Sequence, residues 1–153
     1  MDRAMKAAQL FENGYNCAQS VAVAFCDVIG MTEKQAARAV SGFGGGFGRL
    51  REVCGAVSGM VFVTSMLYGY DTPGNDEEKM AHYAMIQDFA GQFKEMGAGS
   101  VVCREILKNP PSDPKPSERT EEYYRLRPCA RLCYNAGAIL QKYIEEHPYQ
   151  IDN

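Results

Sequence analysis

Apolar residues recur with helical spacing along nearly the whole chain, and no segment has the alternating, β-branched pattern of a strand. The pattern predicts helices over residues 2–12, 17–29, 32–40, 53–70, 76–96, 103–107 and 128–147. With 153 residues, the chain is long enough for one ordinary domain and too short for two. We therefore predict one all-α domain over residues 1–153, a compact bundle of about five to seven helices with a glycine-rich loop.

Charge and composition exclude two classes of protein. The net charge of −3, with both signs mixed along the chain, argues against the basic surface of a nucleic-acid-binding protein. Residues 53–70 carry no charge and are long enough to span a membrane, but Gly55, Ser58 and Thr64 make the segment too small and polar. A buried central helix is predicted there instead. The first residues are charged and helical rather than a secretory signal, so we expect a cytoplasmic chain.

A glycine-rich loop, GFGGGFGR at residues 42–49, follows the third predicted helix. It fails the tests for nucleotide binding, because neither a G-x-G-x-x-G spacing after a strand nor a terminal Gly-Lys-Ser/Thr is present. Glycines let a backbone approach another group closely, and we expect Gly44, Gly45 and Gly46 to donate N–H bonds to a group of sulfurs. The alternative is a tight connection between two helices, with two phenylalanines filling the core.

The six cysteines are the main chemical feature of the chain. In a cytoplasmic protein they are metal ligands, redox-active thiols or buried apolar residues rather than structural disulfides. Four of them fall in the first turn of four different predicted helices, namely Cys17, Cys54, Cys103 and Cys129. The positive potential of a helix N-terminus lowers the pKa of a thiol, and we expect this at all four positions. No C-x-x-C pair is present, so a zinc knuckle is not predicted.

The arrangement of these helix starts decides what the cysteines can do. If the starts meet beside residues 44–49, they form an electropositive pocket for an anionic thiolate cluster, and otherwise they are separate reactive thiols. Cys17 and Cys26 point to opposite sides of one helix, so Cys26 is predicted to be a core residue. Cys129 and Cys133 share one face of the last helix, and Cys133 is either a spare thiol beside the site or core.

Three stretches resemble a known family: NCAQSV at residues 16–21, GFGGGFGR at 42–49 and EVCGAVSG at 52–59. Together they resemble the C_GCAxxG_C_C family of putative redox-active proteins, which is known by a CGAxxG motif and its characteristic cysteines. The motif here begins at Cys54, and Cys17, Cys103 and Cys129 match the other family cysteines, over roughly residues 11–145. The resemblance implies a small helical protein with a redox function. A related domain in split-Soret-type cytochromes implies an iron–sulfur centre.

Three hypotheses follow for the function. The first is an iron–sulfur or other metal–thiolate redox centre, [2Fe–2S] or [4Fe–4S], with the ligands Cys17, Cys54, Cys103 and Cys129. The second needs no cofactor and is thiol–disulfide chemistry, in which Cys54 attacks and Cys17 or another cysteine resolves. The third is a non-catalytic helical binding module.

The first hypothesis assigns roles to two charged residues. Arg49 is expected to offset the negative charge of the centre, and Glu52 to cap or orient the helix that begins at Cys54. Such a centre serves either an oxidoreductase or an electron carrier, and both imply a redox partner protein. A homodimer is also compatible with the sequence.

Overall fold

The computed structural model describes residues 1–149, and its regular structure there is helical, apart from one β-bridge between Val53 and Val102. The helices are α1 (Arg3–Glu12), α2 (Cys17–Ala24), α3 (Glu33–Ala39), α4 (Gly44–Phe47), α5 (Gly55–Tyr68), α6 (Asp76–Phe93), α7 (Cys103–Leu107), α8 (Glu121–Leu126) and α9 (Cys129–Glu146). A 3₁₀ turn (Ser41–Phe43) precedes α4, and a π turn (Lys94–Ala98) extends α6.

The all-α prediction is confirmed. The nine helices within residues 1–149 exceed the five to seven predicted, because α4 and α8 are too short to show apolar periodicity. The predicted domain extends to residue 153, and its last four residues lie outside the described part of the chain.

Helix starts follow their capping signals more closely than helix ends do. Asn16 and Gln19 form a reciprocal capping box at the start of α2, and the start of α3 has the same arrangement. Helix α2 ends at Ala24, although the apolar pattern predicted an end at residue 29. The prediction was wrong because the backbone N–H groups of Phe25 and Cys26 bond three residues back, which tightens the chain into turns.

Helix α5 is the predicted buried central helix, and it packs on α2 through glycine. A Cβ atom on Gly59 would lie only 2.7 Å from the carbonyl oxygen of Ala18 in α2, so no larger residue fits without a shift. Gly137 of α9 lies in the same way against α1, where a Cβ atom would be 2.9 Å from the Cα atom of Ala4. These close approaches bring α1, α2, α5 and α9 into one core. None of the helices within residues 1–149 combines the length and apolarity needed to cross a bilayer.

Two extended segments, at residues 52–54 and 101–103, run antiparallel beside one another. The backbone N–H of Cys54 donates to the carbonyl oxygen of Val101 at 2.7 Å, and that of Cys103 donates to the carbonyl oxygen of Glu52 at 2.6 Å. This short pairing places the start of α5 beside the start of α7.

Candidate functional site

One cavity of about 380 Å³ lies where four helices begin, and it is lined by Cys17, Cys54, Cys103 and Cys129. Cys17, Cys103 and Cys129 are the first residues of α2, α7 and α9, and Cys54 is the N-cap of α5. Most of the segment 44–49 lines the same cavity. The four helix starts therefore meet beside the glycine-rich loop.

Backbone contacts bring the thiols together. A Cβ atom on Gly55 would lie 3.0 Å from the Cβ atom of Cys17, so the first glycine of the CGAxxG motif lets α2 and α5 begin side by side. The pairing of residues 52–54 with 101–103 adds Cys103 to this pair. The Cys129 thiol completes the group, since it lines the same cavity and is near enough to the Cys17 thiol to shift its pKa.

The glycine-rich loop lies against one of these thiols. Gly45 and Gly46 have left-handed φ values of +67° and +70°, so α4 is an irregular turn rather than a regular helix. A Cβ atom on Gly46 would lie 2.8 Å from the Cβ atom of Cys103 and 2.7 Å from the backbone nitrogen of Glu52. Glycine at this position therefore permits contact between the loop and Cys103. Donation of N–H bonds from residues 44–46 to sulfur stays a prediction.

Burial and neighbouring thiols raise the pKa of three of the four thiols, so the expectation of lowered pKa values is wrong for them. Burial raises the pKa of Cys54 to about 12, against the opposite effect of two backbone N–H groups of α5. The pKa of Cys129 is raised first by its hydrogen bond with Cys17 and then by burial. At Cys17 the hydrogen bond with Cys129 lowers the pKa, but the hydrogen bond with Cys133, burial and neighbouring thiols raise it well above the usual value. These three thiols are therefore protonated at neutral pH.

The charged side chains that line the cavity, within residues 1–149, are all cationic: Arg49, Arg51, Arg119 and Arg127. Arg51 is the most buried of them, with 3 % of its surface exposed. Its Nη1 donates to the Sγ atom of Cys103 at 3.7 Å, and its Nη2 donates to the hydroxyl of Ser112 at 3.4 Å. Its Nε is buried without a hydrogen-bond partner among the described residues. Arg51 is not among the site residues predicted from the sequence, where its place three residues before Cys54 was the available signal.

Arg49 lines the cavity, but its hydrogen bonds go to the proline strap, which we define as residues 109–117. Its Nε donates to the carbonyl oxygen of Asp113 at 2.8 Å, and its Nη1 donates to the hydroxyl of Ser117 at 3.1 Å. Pro114 and Pro116 of the strap line the cavity. Arg49 thus holds the strap against the cavity, and its expected role in offsetting charge stays a prediction.

Glu52 contributes its backbone to the site rather than its side chain. Its carboxylate forms an ion pair with Arg104 at 3.0 Å and does not line the cavity. The start of α5 has no side-chain capping bond, so the expected capping by the Glu52 carboxylate is not observed. The carbonyl of Glu52 instead fixes the backbone of Cys103.

Helix α8 and its flanks form a part of the cavity lining that sequence analysis missed. The guanidinium of Arg119 lies 4.4 Å from the ring centroid of Phe11 and donates to the carbonyl oxygens of Phe11 and Tyr15 at 3.0 and 3.2 Å. The guanidinium of Arg127 lies 4.9 Å from the ring centroid of Tyr123. An arginine- and tyrosine-rich stretch just before Cys129 was the available signal.

The other two cysteines do not line the cavity. Cys26 is buried in a separate hydrophobic cluster, as predicted for a core residue. Cys133 is fully buried, and its thiol lies 3.7 Å from the carbonyl oxygen of Cys17. It is therefore a core thiol that lies directly behind the site.

The cavity thiols are not gathered around one point as a single metal ion requires. A single zinc ion requires its sulfurs at about 2.3 Å from one point. Within residues 1–149, no three His, Cys, Asp or Glu side chains stand close enough to hold one ion. In an iron–sulfur cluster the cluster's own atoms separate the ligands, so the four sulfurs need not meet at one point. The cavity that the four thiols line has a volume of about 380 Å³.

A family model described as "Putative redox-active protein (C_GCAxxG_C_C)" matches residues 15–143. The matched span contains all four cavity cysteines, the CGAxxG motif and the glycine-rich loop. No curated protein and no solved structure shows significant similarity to the chain. Because the family model covers most of its length, the chain belongs to the C_GCAxxG_C_C family.

Proposed function

We propose that the cavity holds an iron–sulfur cluster and that the protein uses it as an electron-transfer or redox centre, with the ligands Cys17, Cys54, Cys103 and Cys129. The observation that carries this proposal is the meeting of four thiols, from four helix starts, at one cavity whose charged lining is cationic. Membership of a redox-active family supports the redox role.

Charge supports a thiolate cluster over four free thiols. Four cysteinates around a [2Fe–2S] or [4Fe–4S] core carry a net charge of about −2 when oxidised. Arg51 is positioned to pair with the Cys103 ligand, since its Nη1 lies 3.7 Å from that sulfur. Metal binding displaces the thiol protons, so thiols whose pKa is raised in the metal-free protein can still become ligands. The chain thus supplies both the sulfurs and a compensating cation.

When bound, such a cluster accepts and releases single electrons. The residues of the chain hold and shield it. The glycine-rich loop approaches through Gly46, the proline strap covers the cavity, and Ile106, Leu107 and Leu132 supply apolar lining. Apolar cover of this kind lowers solvent access, which is one way that a protein tunes the reduction potential of a metal centre.

Anaerobic purification tests the proposal directly. We expect a coloured protein that contains iron and acid-labile sulfide, either as isolated or after reconstitution. Replacing each of Cys17, Cys54, Cys103 and Cys129 by serine in turn is expected to remove or weaken the cluster. Cys26→Ala is the matched control, because Cys26 is buried away from the cavity. A wild-type protein without metal after reconstitution, or equal loss of iron in Cys26→Ala, would contradict the proposal.

A second candidate is thiol–disulfide chemistry, and a specific observation favours it. The Cys17 and Cys129 thiols are near enough to shift each other's pKa, which makes this pair a candidate for joint oxidation. The geometry favours this pair over attack by Cys54, a residue that is 4 % exposed and whose pKa is raised to about 12 by burial. The hypothesis in which Cys54 attacks and Cys17 resolves the disulfide stays a prediction. Mass spectrometry after oxidation by a small disulfide identifies the pair, and the absence of any reversible bridge would reject this candidate.

With the redox function we propose a cytoplasmic location and a partner protein that exchanges electrons with the centre. The six free cysteines support a reducing compartment. Homodimer formation stays a prediction, and light scattering on the purified protein checks it.

A further inference from the structure

The positive charge of the cavity exceeds what the proposed cluster neutralises. Within residues 1–149, four guanidinium groups and no carboxylate line the cavity, whereas a cluster with four cysteinates carries about −2 when oxidised. The cavity has this excess of positive charge although the net charge of the whole chain is −3. We propose that the cavity also binds the oxyanion group of a small molecule, a carboxylate or a phosphate, beside the redox centre. This proposal rests on the proposed function, because the comparison of charges assumes that the cluster is bound.

Two of the four arginines are already used by the fold. Arg49 donates to Asp113 and Ser117 of the proline strap. Arg119 donates to the backbone carbonyls of Phe11 and Tyr15 and stacks on aromatic rings. Their hydrogen-bonding capacity is directed at the protein itself. The oxyanion is therefore assigned to the other two, Arg51 and Arg127.

Arg51 is a buried cation without an ion pair among the described residues. Arg51 is 3 % exposed, and its Nε has no hydrogen-bond partner among those residues. Its Nη1 and Nη2 donate at 3.7 and 3.4 Å to a thiol and a hydroxyl, neither of which is a carboxylate. Even where Nη1 pairs with a cluster ligand at Cys103, Nε has no partner within residues 1–149, and a buried donor without a partner destabilises the fold. An oxyanion that accepts from Nε therefore stabilises it. Guanidinium groups bind carboxylate and phosphate through paired N–H donors.

Arg127 offers the second point of attachment. Its guanidinium lies 4.9 Å from the ring centroid of Tyr123 and makes no hydrogen bond or ion pair within residues 1–149. Stacking on an aromatic face leaves the in-plane N–H donors of a guanidinium free. Arg127 therefore has donors available for an oxyanion.

The lining indicates a small organic anion rather than a bare ion. The anion would share the cavity of about 380 Å³ with the proposed cluster, so only a small molecule fits beside it. Phe11, Ile106, Leu107 and Tyr123 give the cavity an apolar surface for a carbon skeleton. A molecule with one oxyanion group and an apolar body fits both features.

Isothermal titration of the purified protein with inorganic phosphate and, separately, with benzoate tests this site and distinguishes the two oxyanions. We expect saturable binding of at least one of them. Arg51→Gln and Arg127→Gln should each weaken it about tenfold or more, because each removes a charge-assisted hydrogen bond. Arg51→Lys should retain part of it. Arg125→Gln is the matched control, since Arg125 is exposed on α8 and does not line the cavity.

Absence of saturable binding to both anions by the wild-type protein, or equal weakening in Arg125→Gln, would overturn the inference. Circular dichroism checks folding, and if Arg51→Gln does not fold, Arg127→Gln carries the test. Iron and acid-labile sulfide are measured on the same samples. Anion binding by a protein without iron would support the anion site and contradict the cluster. Iron and sulfide without anion binding would support the cluster and contradict the anion site.

Discussion

The guanidinium of Arg51 donates a hydrogen bond to the thiol of Cys103 over 3.7 Å, and both residues are buried. Cys103 is the cavity cysteine to which a guanidinium donates within residues 1–149. If it is a cluster ligand, the positive charge stabilises the reduced, more negative state of the centre. This contact makes Arg51 a positioning residue with a measurable effect on potential.

Replacing Arg51 by glutamine should therefore make the midpoint potential more negative, by an amount on the order of tens of millivolts, since 59 mV corresponds to a tenfold change for one electron. Arg51→Lys keeps the charge and should shift the potential less. A redox titration followed by absorption or electron paramagnetic resonance measures both. An unchanged potential in Arg51→Gln would show that the guanidinium does not act on the centre.

Gly46 and Gly48 form a matched pair for testing the close approach of the loop. Both have positive φ, +70° and +58°, so alanine costs about 1–2 kcal/mol of backbone strain at either position. A Cβ atom meets Cys103 and the backbone only at Gly46. We expect Gly46→Ala to lower the free energy of unfolding by about 1–3 kcal/mol more than Gly48→Ala does. Urea unfolding measures the difference, and equal losses would mean that the contact with Cys103 is easily relaxed.

Gly59 and Gly91 test the crossing of α2 and α5 in the same way. Alanine at position 59 meets the carbonyl oxygen of Ala18 at 2.7 Å, whereas nothing lies within 4 Å of position 91 in α6. Gly59→Ala should destabilise the protein by about 1–3 kcal/mol and weaken metal retention, because it separates the helices that carry Cys17 and Cys54. Gly91→Ala should be neutral or stabilise by up to about 1 kcal/mol. Thermal and urea unfolding compare the two, and a neutral Gly59→Ala would contradict the close packing.

His82 should make the stability of the protein depend on pH. It is 7 % exposed, its Nδ1 has no hydrogen-bond partner among the described residues, and burial lowers its pKa. The unfolded chain therefore binds a proton at higher pH than the folded chain, so stability falls as the pH drops below about 6.5.

Replacing His82 by glutamine should reduce that fall, which cannot exceed about 1.4 kcal/mol per pH unit for one group. Urea unfolding between about pH 7 and pH 5 measures the slope. His147→Gln is the control, because His147 is the other histidine of the chain and is exposed. The same slope in wild type and His82→Gln would assign the pH dependence to other groups.

The positions of the thiols at helix starts were predictable because capping is local. The reciprocal bonds of Asn16 and Gln19 depend on residues three apart, and they place Cys17 at the first position of α2. The thiol pKa values were not predictable in the same way. They depend on burial and on thiols from other helices, such as Cys17 beside Cys129, which no local pattern reveals.

The sequence could not predict whether the four thiols meet at one place in the fold. Their meeting depends on Gly55 against Cys17 and on the pairing of residues 52–54 with 101–103, both of which join segments distant in the chain. The arginines were harder to predict, because an isolated Arg51 or Arg127 has no motif that distinguishes it from a solvated charge. Their role emerges from burial and from neighbours that only the folded chain supplies.

The position of Cys129 at the start of α9 has a consequence for biosynthesis. Three of the cavity thiols belong to segments that leave the ribosome before this helix does. A chain that still lacks α9 has three of the cavity thiols and lacks Cys129. Any group that needs all four sulfurs can therefore be completed only after Cys129 has emerged from the ribosome.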